Sequence, residues 1–75
     1  MANTSTVVTI SGRAVAEARL RKGMTLRDLA GACGLDYSFL SRVERGLGQP
    51  GARQLPALAA ALGLEVDQLF AKDAA

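Results

Sequence analysis

Residues Thr25–Gly46 read TLRDLAGACGLDYSFLSRVERG, and the order of capping and apolar residues in this stretch decides the fold. Thr25 followed three positions later by Asp28 has the form of a capping box, with aspartate in the usual place of glutamate, so a helix is predicted to begin just after Thr25. Leu26, Leu29, Ala30 and Cys33 recur at helical spacing and make its inward face. Gly34-Leu35 interrupts the pattern: the glycine suits a sharp bend and the leucine suits the core. Asp36 is a favourable N-cap for a second helix, on which Leu40 and Val43 form the buried face. Ala30 is small enough to let the two helices approach closely.

Working outward, Gly23, Gly34, Gly46 and Gly63 each follow a segment of helical character, where glycine adopts a left-handed conformation without a Cβ clash. Upstream, a helix is predicted from about Gly12 to Lys22, with Val15 and Ala18 on one face. Downstream, Gly46 to Gly51 is a loop. Pro56 suits only the first turn of a helix, so a fourth helix is expected from near Arg53 to Leu62. A fifth, from about Val66 to Ala71, would close the core with Leu69 and Phe70. The class is all-α, a compact bundle of five short helices spanning residues 11–71. Residues 1–10 form a Thr/Ser-rich arm whose Val7-to-Ile10 run suits either a disordered segment or a brief strand, and residues 72–75 form a tail.

Composition removes several functions. The chain has 75 residues, enough for one small domain. It has no histidine and one cysteine, which excludes the usual zinc sites and histidine-based triads. No cluster suits catalysis, so an enzyme is not expected, and neither is a metal or cofactor. The lone Cys33 fits a reducing compartment and reads as a small buried hydrophobe rather than a redox sensor. No stretch approaches the ~20 apolar residues needed to cross a bilayer, and the first ten residues lack the features of a secretory signal, so the expected location is the cytoplasm, on the nucleoid. No membrane contact is expected either, because the basic residues are spread over several helices instead of lining one. The net charge of +2 is unevenly placed. Ser11 to Arg53 holds eight basic and four acidic residues, a local +4, whereas Gln54 to the end has one lysine against three acids, a local −2. An anionic partner would meet the basic part, although charge alone is better read as an ordinary solvated surface.

Two short helices joined by a tight glycine-containing turn make a helix-turn-helix, in which the second helix lies in the DNA major groove and presents its N-terminal residues to base edges. The outward positions of that helix are Tyr37, Ser38, Ser41, Arg42 and Arg45, all able to hydrogen-bond to bases or phosphates. An arginine such as Arg42 is suited to bidentate pairing with guanine. Geometry alone leaves a generic helical hairpin with a polar outer face open.

The ending Leu40-Ser41-x-x-Glu44-x-Gly46 resembles the Leu-Ser-x-x-Glu-x-Gly pattern of the Cro/cI, or Xre-type, helix-turn-helix repressor family, whose fold is the lambda repressor-like DNA-binding domain. Gly12-Arg13 with Arg19 resembles the family's first helix. The segments Leu55-Pro56-Ala57-Leu58-Ala59, Leu62-Gly63-Leu64, Val66-Asp67 and Leu69 resemble its fourth and fifth. The resemblance implies that Arg19 pairs with Glu44 and locks the recognition helix at its working angle. It implies that Thr25 caps the second helix with its N-terminus towards a phosphate. Tyr37, Ser38 and Arg42 align with the base-reading positions. Thr25, Arg27, Ser41, Arg45 and Arg53 fall to the DNA backbone or minor groove, Arg53 in the place of a basic residue that faces the minor groove between half-sites in some members. Leu26 stands where many phage members carry a glutamine that braces the recognition helix and touches phosphate. Tyr37 replaces a short polar residue or glutamine, and Leu47 to Gly51 carries no basic residue. Operator sequences therefore do not carry over from relatives.

The resemblance implies a sequence-specific double-stranded DNA-binding transcriptional regulator, acting as a homodimeric repressor on a palindromic operator. The alternative is a protein-interaction module with a protein partner, such as the antitoxin of a toxin–antitoxin pair or a transcriptional adaptor, using the arm or the apolar C-terminal helix. Phe39 reads as a packing residue rather than a stacking platform, and Leu69 and Phe70 as either core or dimer contact.

Overall fold

The structure, a computed structural model, describes residues 9–71. Among these, four α-helices follow one another: α1 (Gly12–Arg21), α2 (Leu26–Cys33), α3 (Tyr37–Glu44) and α4 (Leu55–Leu62). Two 3-10 turns, Ala52–Gln54 and Val66–Leu69, precede and follow α4. The class is all-α. The arm lies outside the described residues except for Thr9 and Ile10, and the tail lies wholly outside them.

The helices α1, α2 and α3 each start on a side chain that satisfies an otherwise orphaned N–H. Ser11 Oγ accepts from the Ala14 N–H at 3.0 Å, and Asp36 Oδ2 from the Phe39 N–H at 3.2 Å. At α2 the box is reciprocal: Thr25 Oγ1 accepts from the Asp28 N–H at 3.0 Å, and Asp28 Oδ2 accepts from the Thr25 N–H at 2.9 Å. Gly34 ends α2 at φ 73°, and its N–H and that of Leu35 both bond the Ala30 carbonyl, which reverses the chain within two residues.

The buried faces converge on one core. Val15, Leu29, Leu40, Val43, Leu58 and Leu69 are fully buried, and Ile10, Ala18, Ala30, Ala59 and Leu62 complete the cluster. Leu26, Cys33, Leu35 and Phe39 pack against it half-buried. α2 packs on α3 and α4, and α1 packs on α3.

Two expected helices differ from the pattern reading. The fourth helix begins at Leu55, because Ala52–Gln54 takes the tighter 3-10 path, closed by Gln54 Oε1 accepting from the Gly51 N–H at 2.8 Å. The fifth is only the 3-10 turn Val66–Leu69 and stops before Ala71. Its continuation is taken by extended pairing instead: Phe70 forms an antiparallel bridge with Ile10, the Ser11 N–H donates to the Leu69 carbonyl at 2.7 Å and the Ala71 N–H to the Thr9 carbonyl at 2.9 Å. Backbone bonds to a neighbouring segment replace the intrahelical bonds that a longer helix would need. Leu69 belongs to the core, and Phe70 is half-buried beside it.

Gly12 has a role that its place at a helix start did not suggest. A Cβ there would overlap the Val43 carbonyl oxygen and lie 2.8 Å from that of Glu44. The N-terminus of α1 thus abuts the C-terminal carbonyls of α3, positive dipole end to negative. No helix among the described residues is long and apolar enough to cross a membrane.

Candidate nucleic-acid interface

Among the described residues, α3 presents an exposed polar outer face. Leu40 and Val43 point inward and are fully buried, whereas Tyr37, Ser38, Arg42 and Arg45 are exposed and Ser41 is half-buried. The alternation follows from 3.6 residues per turn: burying positions 40 and 43 turns 37, 38, 41, 42 and 45 outward or to the flank.

The C-terminal end of α3 is held by α1. Arg19 Nε donates to Glu44 Oε2 at 2.7 Å and Nη2 donates to Oε1 at 3.1 Å, a bidentate pair. The remaining Nη1 donates to the Met24 carbonyl at 2.8 Å, tying the α1–α2 linker to the same guanidinium. The side chains keep only 13% and 9% of their surface exposed, so both charges are largely desolvated and each depends on the other. The Glu44 hydrogen bond raises the pKa of Arg19 above its ordinary value, against the opposing effect of burial. The arginine is therefore permanently charged.

The N-terminal end of α3 meets the first turn of α2. The Arg27 guanidinium lies over the Tyr37 ring, 4.9 Å from its centroid, and that of Arg42 lies 5.8 Å from the Phe39 ring. Gly48 packs close to Phe39 and Arg42, where a Cβ would sit 3.5 Å from Phe39 Cε1 and 3.7 Å from Arg42 Cβ. Phe39 is thus a packing residue that also backs Arg42. Arg45 Nε approaches the Ser41 carbonyl at 3.4 Å, a long contact that leaves the head group in solvent.

Of the candidate residues, Arg27 on α2 and Tyr37 at the start of α3 are in direct contact; Ser38, Ser41 and Arg42 follow along α3, Arg45 caps its far end, and Thr25 caps α2. Arg53 is exposed as well but sits on the 3-10 turn before α4, a separate element. Sequence reasoning missed the Arg27–Tyr37 stack. The signal available was an arginine in the first turn of a helix, where the macrodipole disfavours it and a tertiary partner is needed to justify it. It also missed Gln49, whose Oε1 accepts from the Ile10 N–H at 2.9 Å and whose Nε2 approaches the Ile10 carbonyl at 3.4 Å. Among the described residues no group of three or more His, Cys, Asp or Glu side chains is placed to hold a metal.

An all-helical domain with a capped helix, a glycine turn and a clamped second helix with an exposed polar face is a helix-turn-helix module. Residues 15–69 match the family model described as helix-turn-helix, and the chain belongs to that family, of the Xre/Cro-cI type, whose members are DNA-binding transcriptional regulators and not enzymes. It is 38% identical over 54 residues to the HTH-type transcriptional regulator DdrOP3 of Deinococcus deserti, an alignment covering 72% of this chain and 42% of the relative, so the chain spans less than half the length of that protein. Among solved structures it resembles the restriction-modification controller protein C.AhdI from Aeromonas hydrophila, with a TM-score of 0.74 and 37% identity over 79% of this chain and 89% of that one. It also resembles the biofilm regulator SinR in complex with DNA, with a TM-score of 0.73 and 34% identity over 77% and 97% of the two chains.

Proposed function

We propose that this chain is a sequence-specific regulator of transcription that binds duplex DNA with α3 in the major groove. The observation that supports this most is the bidentate Arg19–Glu44 clamp, which holds α3 with its polar face outward, in a chain that resembles a regulator solved on DNA. In this reading Tyr37, Ser38 and Arg42 meet base edges. Thr25, Arg27, Ser41 and Arg45 meet the phosphate backbone, together with the free N–H groups at the start of α2. Arg53 lies towards the backbone or minor groove between half-sites.

A single module with this modest basic face binds weakly. Two copies on a palindrome, with half-sites about one helical turn apart, supply the missing affinity. Occupying a promoter in this way represses it, and the protein acts in the cytoplasm on the nucleoid. A second reading draws on the likeness to SinR solved in complex with SinI, at a TM-score of 0.77 and 32% identity, and gives this chain a protein partner.

Selection of bound sites from random duplex DNA tests the function. The expected result is a palindromic consensus whose affinity falls steeply with salt. Arg42→Ala is expected to weaken binding to the selected site by about 1–3 kcal/mol and to random duplex much less. Binding that ignores both salt and sequence would remove the reading, and equal losses on both duplexes would remove Arg42 as a base reader.

A further inference from the structure

Arg27 is oddly placed for a residue whose only task is to meet phosphate. It occupies the second position of α2, where the positive end of the helix dipole opposes a cation. It makes no ion pair with any described residue. The side chain before it, Leu26, is half-buried on the core and offers no polar group to brace α3. Of the other polar side chains in the two first turns, Thr25 and Asp28 bond each other, Asp36 bonds the Phe39 N–H, and Ser38 is exposed. The stack of Arg27 on Tyr37 thus links the start of α2 to the start of α3 through side chains. Tyr37 itself is 42% exposed, and more than one staggered rotamer about its Cα–Cβ bond is open to it in the helix.

We infer that Arg27 is a positioning residue that sets sequence preference: by stacking on Tyr37 it holds the ring in one orientation towards the base edges, so that a residue of α2 governs what the first turn of α3 reads. This rests on the reading of Tyr37 as a base-contacting residue. It differs from a plain phosphate contact in one measurable respect. A phosphate contact strengthens binding to all sequences alike, whereas an orienting stack acts on the ratio between sequences and acts through the Tyr37 ring.

The test takes the duplex selected by the wild-type protein and a second duplex changed at the base pair whose preference is lost in Tyr37→Leu. The ratio of the two Kd values is measured for wild type, Arg27→Ala, Tyr37→Phe, Tyr37→Leu and the double variants Arg27→Ala/Tyr37→Phe and Arg27→Ala/Tyr37→Leu. Arg27→Ala is expected to lower the ratio by about two- to fivefold, the size of an exposed cation–π contact, and to have no further effect on the ratio when Tyr37 is already leucine. Tyr37→Phe keeps the ring, so Arg27→Ala made in that background should still lower the ratio. In the DNA-free protein, the Arg27 side-chain protons should show ring-current shifts that Tyr37→Leu abolishes. An Arg27→Ala effect that is equal in the tyrosine and leucine backgrounds, or confined to overall affinity, overturns the inference while leaving DNA reading intact. Absence of any preferred sequence in the wild type removes the DNA-reading function, and this inference with it, even if the ring-current shifts are present.

Discussion

Glu44 shows how much one side chain can decide. Both its oxygens are taken by Arg19, and both residues are largely withdrawn from water. An exposed ion pair is worth about 0–1 kcal/mol, but removing one partner of a buried pair leaves an uncompensated charge and costs about 3–5 kcal/mol. This pair sits near the buried end of that range without being fully enclosed, so Glu44→Ala is expected to lower unfolding stability by about 2–3 kcal/mol, measured by urea titration. Replacing both residues with apolar ones of similar volume, Arg19→Met with Glu44→Leu, should recover much of the loss. The double variant then separates folding from orientation, because it retains the core yet lacks the geometric fork that sets the angle of α3.

At the level of the element, α2 depends on its first turn. Asp28 has its pKa lowered, first by the Thr25 backbone N–H that its carboxylate accepts and then by the Thr25 side chain. The folded chain thus prefers the charged form more than the unfolded chain does. The resulting stability is fully present above the ordinary aspartate pKa of about 3.9, and it is lost as pH falls through the lowered folded-state value. The stability advantage of wild type over Asp28→Asn should therefore be constant near neutrality and shrink below pH ~4, as followed by thermal unfolding at a series of pH values. An advantage that grows on acidification would contradict the box. The same turn places Arg27 beside Tyr37, so capping and positioning are built from adjacent residues of one helix start.

On the scale of the whole molecule, the ends of the described chain close the core through extended pairing. Ile10 is buried, bridges to Phe70, and has its outward N–H accepted by Gln49 in the loop after α3. The amide of one side chain thus occupies the edge that a third strand would take. Gln49→Ala removes the partner of this part-buried N–H, an expected loss of about 0.5–1.5 kcal/mol. Amide hydrogen exchange at Ile10 should accelerate, while exchange in α2 and the middle of α3 follows only the change in global stability.

The local features of this protein were legible in its amino-acid order. Thr25 and Asp36 were read as caps, Gly34 as the turn, and Leu29, Leu40 and Val43 as the buried face, because caps, left-handed glycines and helical periodicity depend on residues only three or four apart. The outward positions of α3 followed from the same periodicity. What needed tertiary structure were the contacts between distant segments: Gly12 against the carbonyls of Val43 and Glu44, Gln49 on Ile10, and Phe70 drawn out of a helix into pairing with Ile10. Each depends on where two elements cross, which no local spacing encodes. The recognition stretch Thr25–Gly46 therefore determined its own helices and turn, whereas the angle at which α3 is held depends on Arg19, and the orientation of Tyr37 depends on an arginine that only the folded chain brings over its ring.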